Sequence, residues 1–406
     1  MQCGLLGRKL SHSYSPAIHA MLADYSYDLY EKEPEELADF LTNGSFQGLN
    51  VTIPYKKAVL PYCQELTPLA QELGSVNTLV RLADGRLLGD NTDAWGFAQM
   101  LHRVVDSCAG KKALVLGSGG ASVTVQAILR LAQAEVVVIS RTGEDNYSNL
   151  ERHADAQILV NTTPVGMYPH VGESPVDLDR LPNLEAVLDL VYNPARTALM
   201  MEAEKRSIPC ESGLYMLVAQ AVRASELWTG SEISLRTLER VWRTVGTSME
   251  NIILVGMPGS GKTTIGAALA EALGREFVDA DEVFARTHGP SGQYILDHGE
   301  ADFRREETKT LAAVCCRSGL VFATGGGAVT RRENYPHLHQ NGTIVWIQRD
   351  LDKLPINDRP LSQKHGVGAI YRVRKPLYKR FADVVVDNNG SINETVAQIL
   401  RKLRLG

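Results

Sequence analysis

Two short apolar runs in the chain each break into a glycine-rich turn, and each turn leads into a stretch that reads as a helix. Ala113 to Leu116 enters Gly117-Ser118-Gly119-Gly120-Ala121, and Ile252 to Val255 enters Gly256-Met257-Pro258-Gly259-Ser260-Gly261-Lys262-Thr263-Thr264. The helical stretches are Val123–Leu131 and Ile265–Leu273. A short apolar run bounded by a turn reads as a buried strand, and strand, glycine turn and helix together open a parallel α/β unit. Two such openings, about 140 residues apart, predict two nucleotide-binding domains. Upstream of the first lie about 110 residues with strand-like pieces such as Leu49–Ile53, enough for a separate domain. Between the two openings, Leu235, Leu238, Val241 and Trp242 keep a helical spacing, and Gly246-Thr247-Ser248 then suits a linker. The main boundary is placed near Ser248, giving 1–248 and 249–406.

The length of 406 residues agrees with two or three domains. Lys plus Arg is 42 and Asp plus Glu is 47, a net charge of −5, so no overall field draws the chain to nucleic acid or an anionic membrane. Any bound anion must be held by local groups. There is no apolar run of membrane-spanning length and no basic-then-apolar leader, so a cytoplasmic protein is expected. The six cysteines show no CxxC spacing and read as free thiols in a reducing compartment. Oligomeric state is left open.

Gly256 to Thr263 fits the full Walker A pattern in its strand–loop–helix setting. Inward-turned backbone N–H groups of Gly256, Gly259, Ser260, Gly261 and Thr264 would cradle phosphates, helped by the helix N-terminus. Lys262 would bridge the β- and γ-phosphates and the Thr263 hydroxyl would ligate Mg²⁺. Asp279 and Asp281 alternate on what reads as a short strand, which places both carboxylates on one face. Arginines on separate elements could converge on a carboxylate and on transferring phosphates.

In order, Walker A, DxD, Gly299-Glu300-Ala301-Asp302-Phe303-Arg304-Arg305-Glu306-Glu307, Gly325-Gly326-Gly327, Arg359-Pro360-Leu361 and Arg374-Lys375-Pro376-Leu377-Tyr378 resemble shikimate kinase over nearly all of 251–406. The resemblance implies a P-loop, nucleoside-monophosphate-kinase-like α/β domain. It also implies roles. Asp281 binds shikimate hydroxyls and assists attack, and Asp279 supports Mg²⁺. Arg304 and Arg374 clamp the carboxylate, with Glu307 orienting Arg304. Gly325, Gly326 and Gly327 floor the site, and Arg359 on the lid stabilises the transferring phosphoryl group. The stretch from Arg349 to Arg359 carries Pro355 and reads as a short, stiff lid.

The first glycine turn is a poor dinucleotide fingerprint, because Ser122 stands at its third position. After the next strand, Glu135–Ile139, come Ser140, Arg141 and Thr142 rather than an acid. A cation with hydroxyls suits a ribose 2′-phosphate, so NADP is preferred over NAD. Upstream, small polar residues crowd around turns: Ser11-His12-Ser13-Tyr14-Ser15-Pro16, Asn50-Val51-Thr52-Ile53-Pro54-Tyr55-Lys56, Gly74-Ser75-Val76-Asn77-Thr78 and Asp90-Asn91-Thr92-Asp93. Such groups suit a ligand rich in hydroxyls.

With Asn161-Thr162-Thr163-Pro164-Val165-Gly166-Met167 and Gly213-Leu214-Tyr215-Met216-Leu217-Val218-Ala219-Gln220, these motifs resemble shikimate dehydrogenase over 1 to about 243. The resemblance implies an α/β substrate domain, 1–101 with about 222–245, and a Rossmann-like NADP domain, 102–221. It implies that Ser13 and Ser15, assisted by Tyr192, bind the substrate carboxylate. Asn50, Thr52, Asn77, Asp93 and Gln220 bind ring oxygens, and Lys56 with Asp93 forms the catalytic pair. The cofactor side holds Gly117, Ser118, Gly119, Gly120, Ala121, Ser140, Arg141, Thr142 and Gly213. Two departures bear on the cofactor. The family's further basic residue falls among Gly143-Glu144-Asp145, and Thr142 to Asp155 is short where relatives fit another helix and strand.

The expectation is a bifunctional enzyme. NADPH-dependent reduction of 3-dehydroshikimate to shikimate is followed by MgATP-dependent phosphorylation to shikimate 3-phosphate. Two alternatives stand beside it: one half silent and regulatory, or an N-terminal half acting on quinate or with NAD.

Overall fold

The computed structural model describes residues 1–10, 13–354 and 366–405. Chain contacts divide the protein into two compact units. The first is Met1–Met167 with Glu173–Tyr192 and Leu199–Gly246; the second is Thr247–Gly406 with the segments Tyr168–Gly172 and Asn193–Ala198.

The first unit holds two sheets. One uses β1 (Gln2–Gly7), β2 (Ser26–Glu31), β3 (Gly48–Val51), β4 (Glu65–Leu66), β5 (Thr78–Arg81) and β6 (Leu87–Asp90) in the order β2-β1-β3-β5-β6-β4. Pairing is parallel from β2 through β3, then antiparallel at β3–β5 and β5–β6. Strand periodicity divides β3 cleanly. Leu49 and Val51 enter an apolar core with Leu6, Leu79 and Leu87, which turns Asn50 to the opposite face. The other sheet is parallel throughout: β7 (Lys112–Leu116), β8 (Glu135–Ile139), β9 (Ile158–Asn161), β10 (Ala186–Asp189) and β11 (Cys210–Ser212), in the order β11-β10-β9-β7-β8. Its central strands are almost wholly apolar because both faces are covered.

The second unit is a parallel sheet of β12 (Asn251–Val255), β13 (Phe277–Asp279), β14 (Val321–Ala323), β15 (Gly342–Gln348) and β16 (Val384–Asp387), ordered β13-β14-β12-β15-β16. Ile253, Val255, Phe322, Ile344 and Trp346 feed the core on one face, while Ile252, Leu254, Val321, Val345 and Ile347 feed the core on the other. That division makes a three-layer α/β/α domain with the glycine turn at the carboxyl end of its central strand.

The expected linker is helical. The helix Leu235–Met249 runs straight through Gly246-Thr247-Ser248, because Leu238, Val241, Val245 and Met249 extend one buried stripe at helical spacing. Small polar residues on the far side of that stripe do not end it. Asp281 also departs from expectation. Strand β13 stops at Asp279, whose carboxylate accepts from the Asp281 N–H at 2.9 Å and caps the helix Ala280–His288. The two acids therefore share a strand-to-helix turn rather than a strand face. Among the described residues, no helix is long and apolar enough to cross a membrane.

Candidate active sites

The first unit has a cleft of about 310 Å³ that gathers Ser13, Ser15, Asn50, Thr52, Lys56, Asn77, Asp93, Tyr192 and Gln220. Its centre is the Lys56 ammonium, which donates to Asp93 Oδ2 at 2.5 Å. Asp93 lies in the first turn of the helix Thr92–Leu101, where the helix dipole favours a carboxylate. Asn77 fixes that turn. Its Oδ1 accepts from the Thr92 N–H at 2.6 Å, and its Nδ2 donates to Asp93 Oδ1 at 2.9 Å. One amide thus caps the helix and orients the acid. The same helix packs closely on Gly213–Thr229: a Cβ on Gly96 would lie 2.8 Å from the Met216 carbonyl, and this approach brings Gln220 to the cleft.

Asn50 is held from behind by the Tyr27 hydroxyl, which donates to its Oδ1 at 2.8 Å. Tyr27 stacks on His19 at 4.1 Å, His19 on Trp228 at 5.2 Å, and His19 Nδ1 lies 2.7 Å from the Tyr25 hydroxyl. Burial pulls the His19 imidazole down to about 3, so it is neutral in the folded state. Ser15 is buried and its N–H donates to Ser13 Oγ at 3.2 Å. Tyr192 meets Tyr14 edge to face at 6.2 Å, and its burial raises the phenol.

A second cleft of about 670 Å³ lies at the first glycine turn, lined by Gly117–Gly119, Ser140, Arg141, Tyr147, Thr162–Val165, Ser174 and Pro175. Gly117 takes a φ of +99°, and no described residue beyond their own chain neighbours comes within 4 Å of where a Cβ would stand on Gly119 or Gly120. Backbone amides at the start of the helix Gly120–Leu131 are therefore open to an anion, which fits a dinucleotide pyrophosphate. The irregular fingerprint has a local explanation. Ser122 is fully buried, and its hydroxyl donates to the Gly117 carbonyl at 2.7 Å. Arg141 stands exposed at the end of β8. Ala121 and Gly213, expected on the cofactor side, line the first cleft, while Gly120 and Thr142 line neither cleft. A Cβ on Gly213 would sit 2.0 Å from the Leu190 carbonyl, so a close backbone approach requires glycine there.

In the second unit a cleft of about 330 Å³ joins the phosphate loop to the acids and arginines. Gly259, Lys262, Thr263, Asp279, Asp281, Arg304, Glu307, Gly325–Gly327 and Arg374 all line it. Gly256, Ser260, Gly261 and Thr264 do not; Gly256 and Gly261 serve the loop through φ values of +154° and +93°. Lys262 Nζ donates to the Gly256 and Met257 carbonyls, both at 3.1 Å. The Thr263 hydroxyl donates to Asp279 Oδ2 at 2.7 Å, placing two hard oxygens together. That donor set fits Mg²⁺, which takes few protein ligands when phosphates supply the rest.

Arg304 is nearly buried, and its Nη1 donates to Glu307 Oε2 at 2.7 Å. Burial pushes the Glu307 carboxyl up, against the pull of Arg304. Burial followed by the charge of Asp279 raises Asp281, against Lys262 and Arg304. Glu307 Oε1 and Arg304 Nε are buried polar atoms without hydrogen-bond partners among the described residues, and such atoms suit an incoming polar ligand. A Cβ on Gly327 would fall 2.1 Å from Arg304 Nη2, so the guanidinium lies flat on bare backbone. Arg374 Nη1 and the Tyr378 hydroxyl both donate to the Gly326 carbonyl, at 3.0 and 2.5 Å. Arg359 and Pro355 lie outside the described residues.

Sequence reasoning missed the apolar walls. Leu5, Leu190, Met216 and Leu217 close the first cleft. Ser291, Gly292, Ile295 and Leu296 of the helix Ser291–His298 close the third. The signal for that helix was one apolar pair in eight residues. Nothing in the sequence singled out His19 or Tyr147.

A dinucleotide-binding fold with an ammonium–carboxylate pair in a polar cleft, joined to a P-loop fold with an arginine-lined cleft, defines a fused oxidoreductase and phosphotransferase. The model of the shikimate dehydrogenase substrate binding domain matches residues 5–79, and that of the shikimate 5′-dehydrogenase C-terminal domain matches 213–241. The shikimate kinase model matches 258–404. The shikimate dehydrogenase (NADP(+)) of Shouchella clausii (strain KSM-K16) is 38% identical over 269 residues, 60% of this chain and 98% of that protein. The crystal structure of a chorismate mutase/shikimate 5-dehydrogenase fusion from Clostridium acetobutylicum is 33% identical with a TM-score of 0.57, covering 60% of this chain and 96% of that one. Shikimate 5-dehydrogenase from Thermus thermophilus, solved with NADP(H) and shikimate, is 34% identical with a TM-score of 0.55, covering 60% and 99%. The chain belongs to the shikimate dehydrogenase family and carries a shikimate kinase domain as well, and so is a bifunctional shikimate-pathway enzyme with NADP, ATP and Mg²⁺ as its cofactors.

Proposed function

We propose that the first cleft reduces 3-dehydroshikimate to shikimate and that the third phosphorylates shikimate on its 3-hydroxyl, with a functional boundary near Ser248. Bound NADPH supplies the hydride. As charge develops on the carbonyl oxygen, the Lys56 ammonium stabilises it and gives up a proton, and Asp93 holds the ammonium in place. Ser13, Ser15 and Tyr192 take the substrate carboxylate; Asn50, Thr52, Asn77 and Gln220 take the ring oxygens. Gly117–Gly119 and Arg141 hold the phosphates of the dinucleotide. The observation that carries this half is the 2.5 Å Lys56–Asp93 pair inside a cleft ringed by hydroxyls and amides.

Bound MgATP supplies the phosphoryl group in the other half. Asp281 orients and deprotonates the attacking hydroxyl, Arg304 and Arg374 hold the shikimate carboxylate, and Lys262 neutralises the phosphates. Thr263 and Asp279 hold Mg²⁺, and Arg359 contributes transition-state charge. The six free cysteines suit a reducing compartment, and we place the enzyme in the cytoplasm.

Calorimetric titration of the full chain with shikimate tests both sites together. Two sites per chain are expected, with Asn77→Ala removing one and Arg304→Met the other. A single site removed by neither variant contradicts the assignment.

A further inference from the structure

We propose that Tyr147 is the wall on which the adenine of NADP(H) stacks, and that the short segment after β8 is built to hold it there. The inference rests on the NADP reading above and adds which residue of this chain receives the base.

Between Ile139, the end of β8, and Ile158, the start of β9, the chain makes a single 3-10 turn, Leu150–His153. The segment that replaces a longer crossover is tied together by its own polar groups. The Ser140 N–H donates to the Asp145 carbonyl at 3.2 Å. Asn146 Nδ2 donates to the carbonyls of Gly143 and Glu144, at 3.3 and 3.2 Å. Asn149 accepts from the Asn146 N–H at 2.8 Å and donates to the Glu144 carbonyl at 2.9 Å. Asp145, one of the acids in the place of the family's basic residue, is engaged by His153 at 2.9 Å. Arg180 Nη1 fixes the Tyr147 carbonyl at 2.8 Å. Those bonds set the Tyr147 backbone, and its half-buried side chain packs against the core of the parallel sheet while lining the cleft with Arg141.

The chemistry of the cleft leaves Tyr147 one role. Pyrophosphate belongs at the open amides that start the helix Gly120–Leu131, and the 2′-phosphate at Arg141. Adenine shares a ribose with that 2′-phosphate, so the base must lie within one sugar of Arg141. Among the described residues lining the cleft, Tyr147 alone is aromatic. A purine presents a flat π-face, and stacking on an aromatic ring is its strongest apolar contact.

The test uses 2′,5′-ADP, which carries the adenine and 2′-phosphate but no nicotinamide, titrated calorimetrically into the full chain. The Y147A variant should bind it about 5- to 150-fold more weakly, the range for loss of one base stack. Y147F and Y147W should bind as the unaltered protein does, because the ring is kept. KM for NADPH should rise in Y147A by the same factor with kcat unchanged. Shikimate binding at the Lys56 cleft should be unaltered, which shows that the variant is folded. Unchanged 2′,5′-ADP binding by Y147A overturns the inference, as does a loss in Y147F equal to that in Y147A, which would make the hydroxyl the contact. If the unaltered protein does not bind 2′,5′-ADP, the NADP reading falls and the inference falls with it.

Discussion

The Lys56 ammonium and the Asp93 carboxylate meet at 2.5 Å, although 37 residues separate them in the chain. Strand β3 and the turn after it carry the lysine, and the first turn of Thr92–Leu101 carries the acid, with Asn77 bonded to both the helix start and the carboxylate. If this pair performs the proton transfer, replacing Lys56 by Met lowers dehydrogenase kcat by about 10²- to 10⁴-fold. KM for shikimate changes far less, and kinase turnover of supplied shikimate is unaffected. Separate steady-state assays of the two activities check this; a fall in both would mean that the substitution damages the whole chain.

His19 gives the first unit a pH-dependent stability. Its folded value is about 3, and an unfolded histidine titrates near about 6.5. Between those values the unfolded chain binds a proton that the folded chain refuses, so stability falls as pH falls through this window. The loss approaches about 1.4 kcal/mol per pH unit for one such group. Urea unfolding at pH 7, 6 and 5, compared between the unaltered protein and His19→Phe, should show a shallower slope in the variant. Equal slopes would contradict the burial argument.

The Arg304–Glu307 pair is nearly closed to water, with side-chain exposures of 10% and 5%. Removing one member of a buried pair costs about 3–5 kcal/mol when the other is left unpaired, and here Arg304 Nη2 keeps a bond to Glu300 Oε1 at 3.3 Å. Glu307→Ala should therefore destabilise the kinase unit by less than that amount in denaturant titration and raise KM for shikimate. Wild-type stability with a raised KM would show that Glu300 and water compensate Arg304 fully.

Mg²⁺ is assigned to the kinase half. EDTA should abolish phosphorylation and leave the dehydrogenase rate unchanged. Thr263→Ala should raise the Mg²⁺ concentration needed for half-maximal kinase activity, since the hydroxyl beside Asp279 is lost. A dehydrogenase that also stops in EDTA would contradict this division.

The reactive groups and the α/β framework were readable because both leave periodic or chemically specific marks. Ile252–Val255 followed by Gly256–Thr263 states strand, loop and anion site in one line. The acids at 279 and 281 were visible as a pair, but their geometry was not. Whether Asp279 continues a strand or caps a helix depends on one side-chain-to-backbone bond, and both outcomes share the same spacing. Gly246-Thr247-Ser248 marks where the two units divide, between Gly246 and Thr247, but not the conformation there: the buried stripe through Val245 and Met249 keeps the helix going. Apolar walls such as Ile295–Leu296 and supports such as His19 carry no chemistry of their own, so only packing reveals them. Ser122 breaks the glycine fingerprint in the sequence, and its hydroxyl bond to the Gly117 carbonyl is what gives it a place in the turn.

One chain is expected to carry out two consecutive reactions. Mass spectrometry of products from purified protein given 3-dehydroshikimate, NADPH, ATP and Mg²⁺ tests it most directly, with each cofactor omitted in turn. Shikimate 3-phosphate is expected only when NADPH and ATP are both present, and shikimate alone when ATP is withheld. Shikimate without phosphate in the complete mixture would contradict the kinase half, and unconverted 3-dehydroshikimate would contradict the dehydrogenase half.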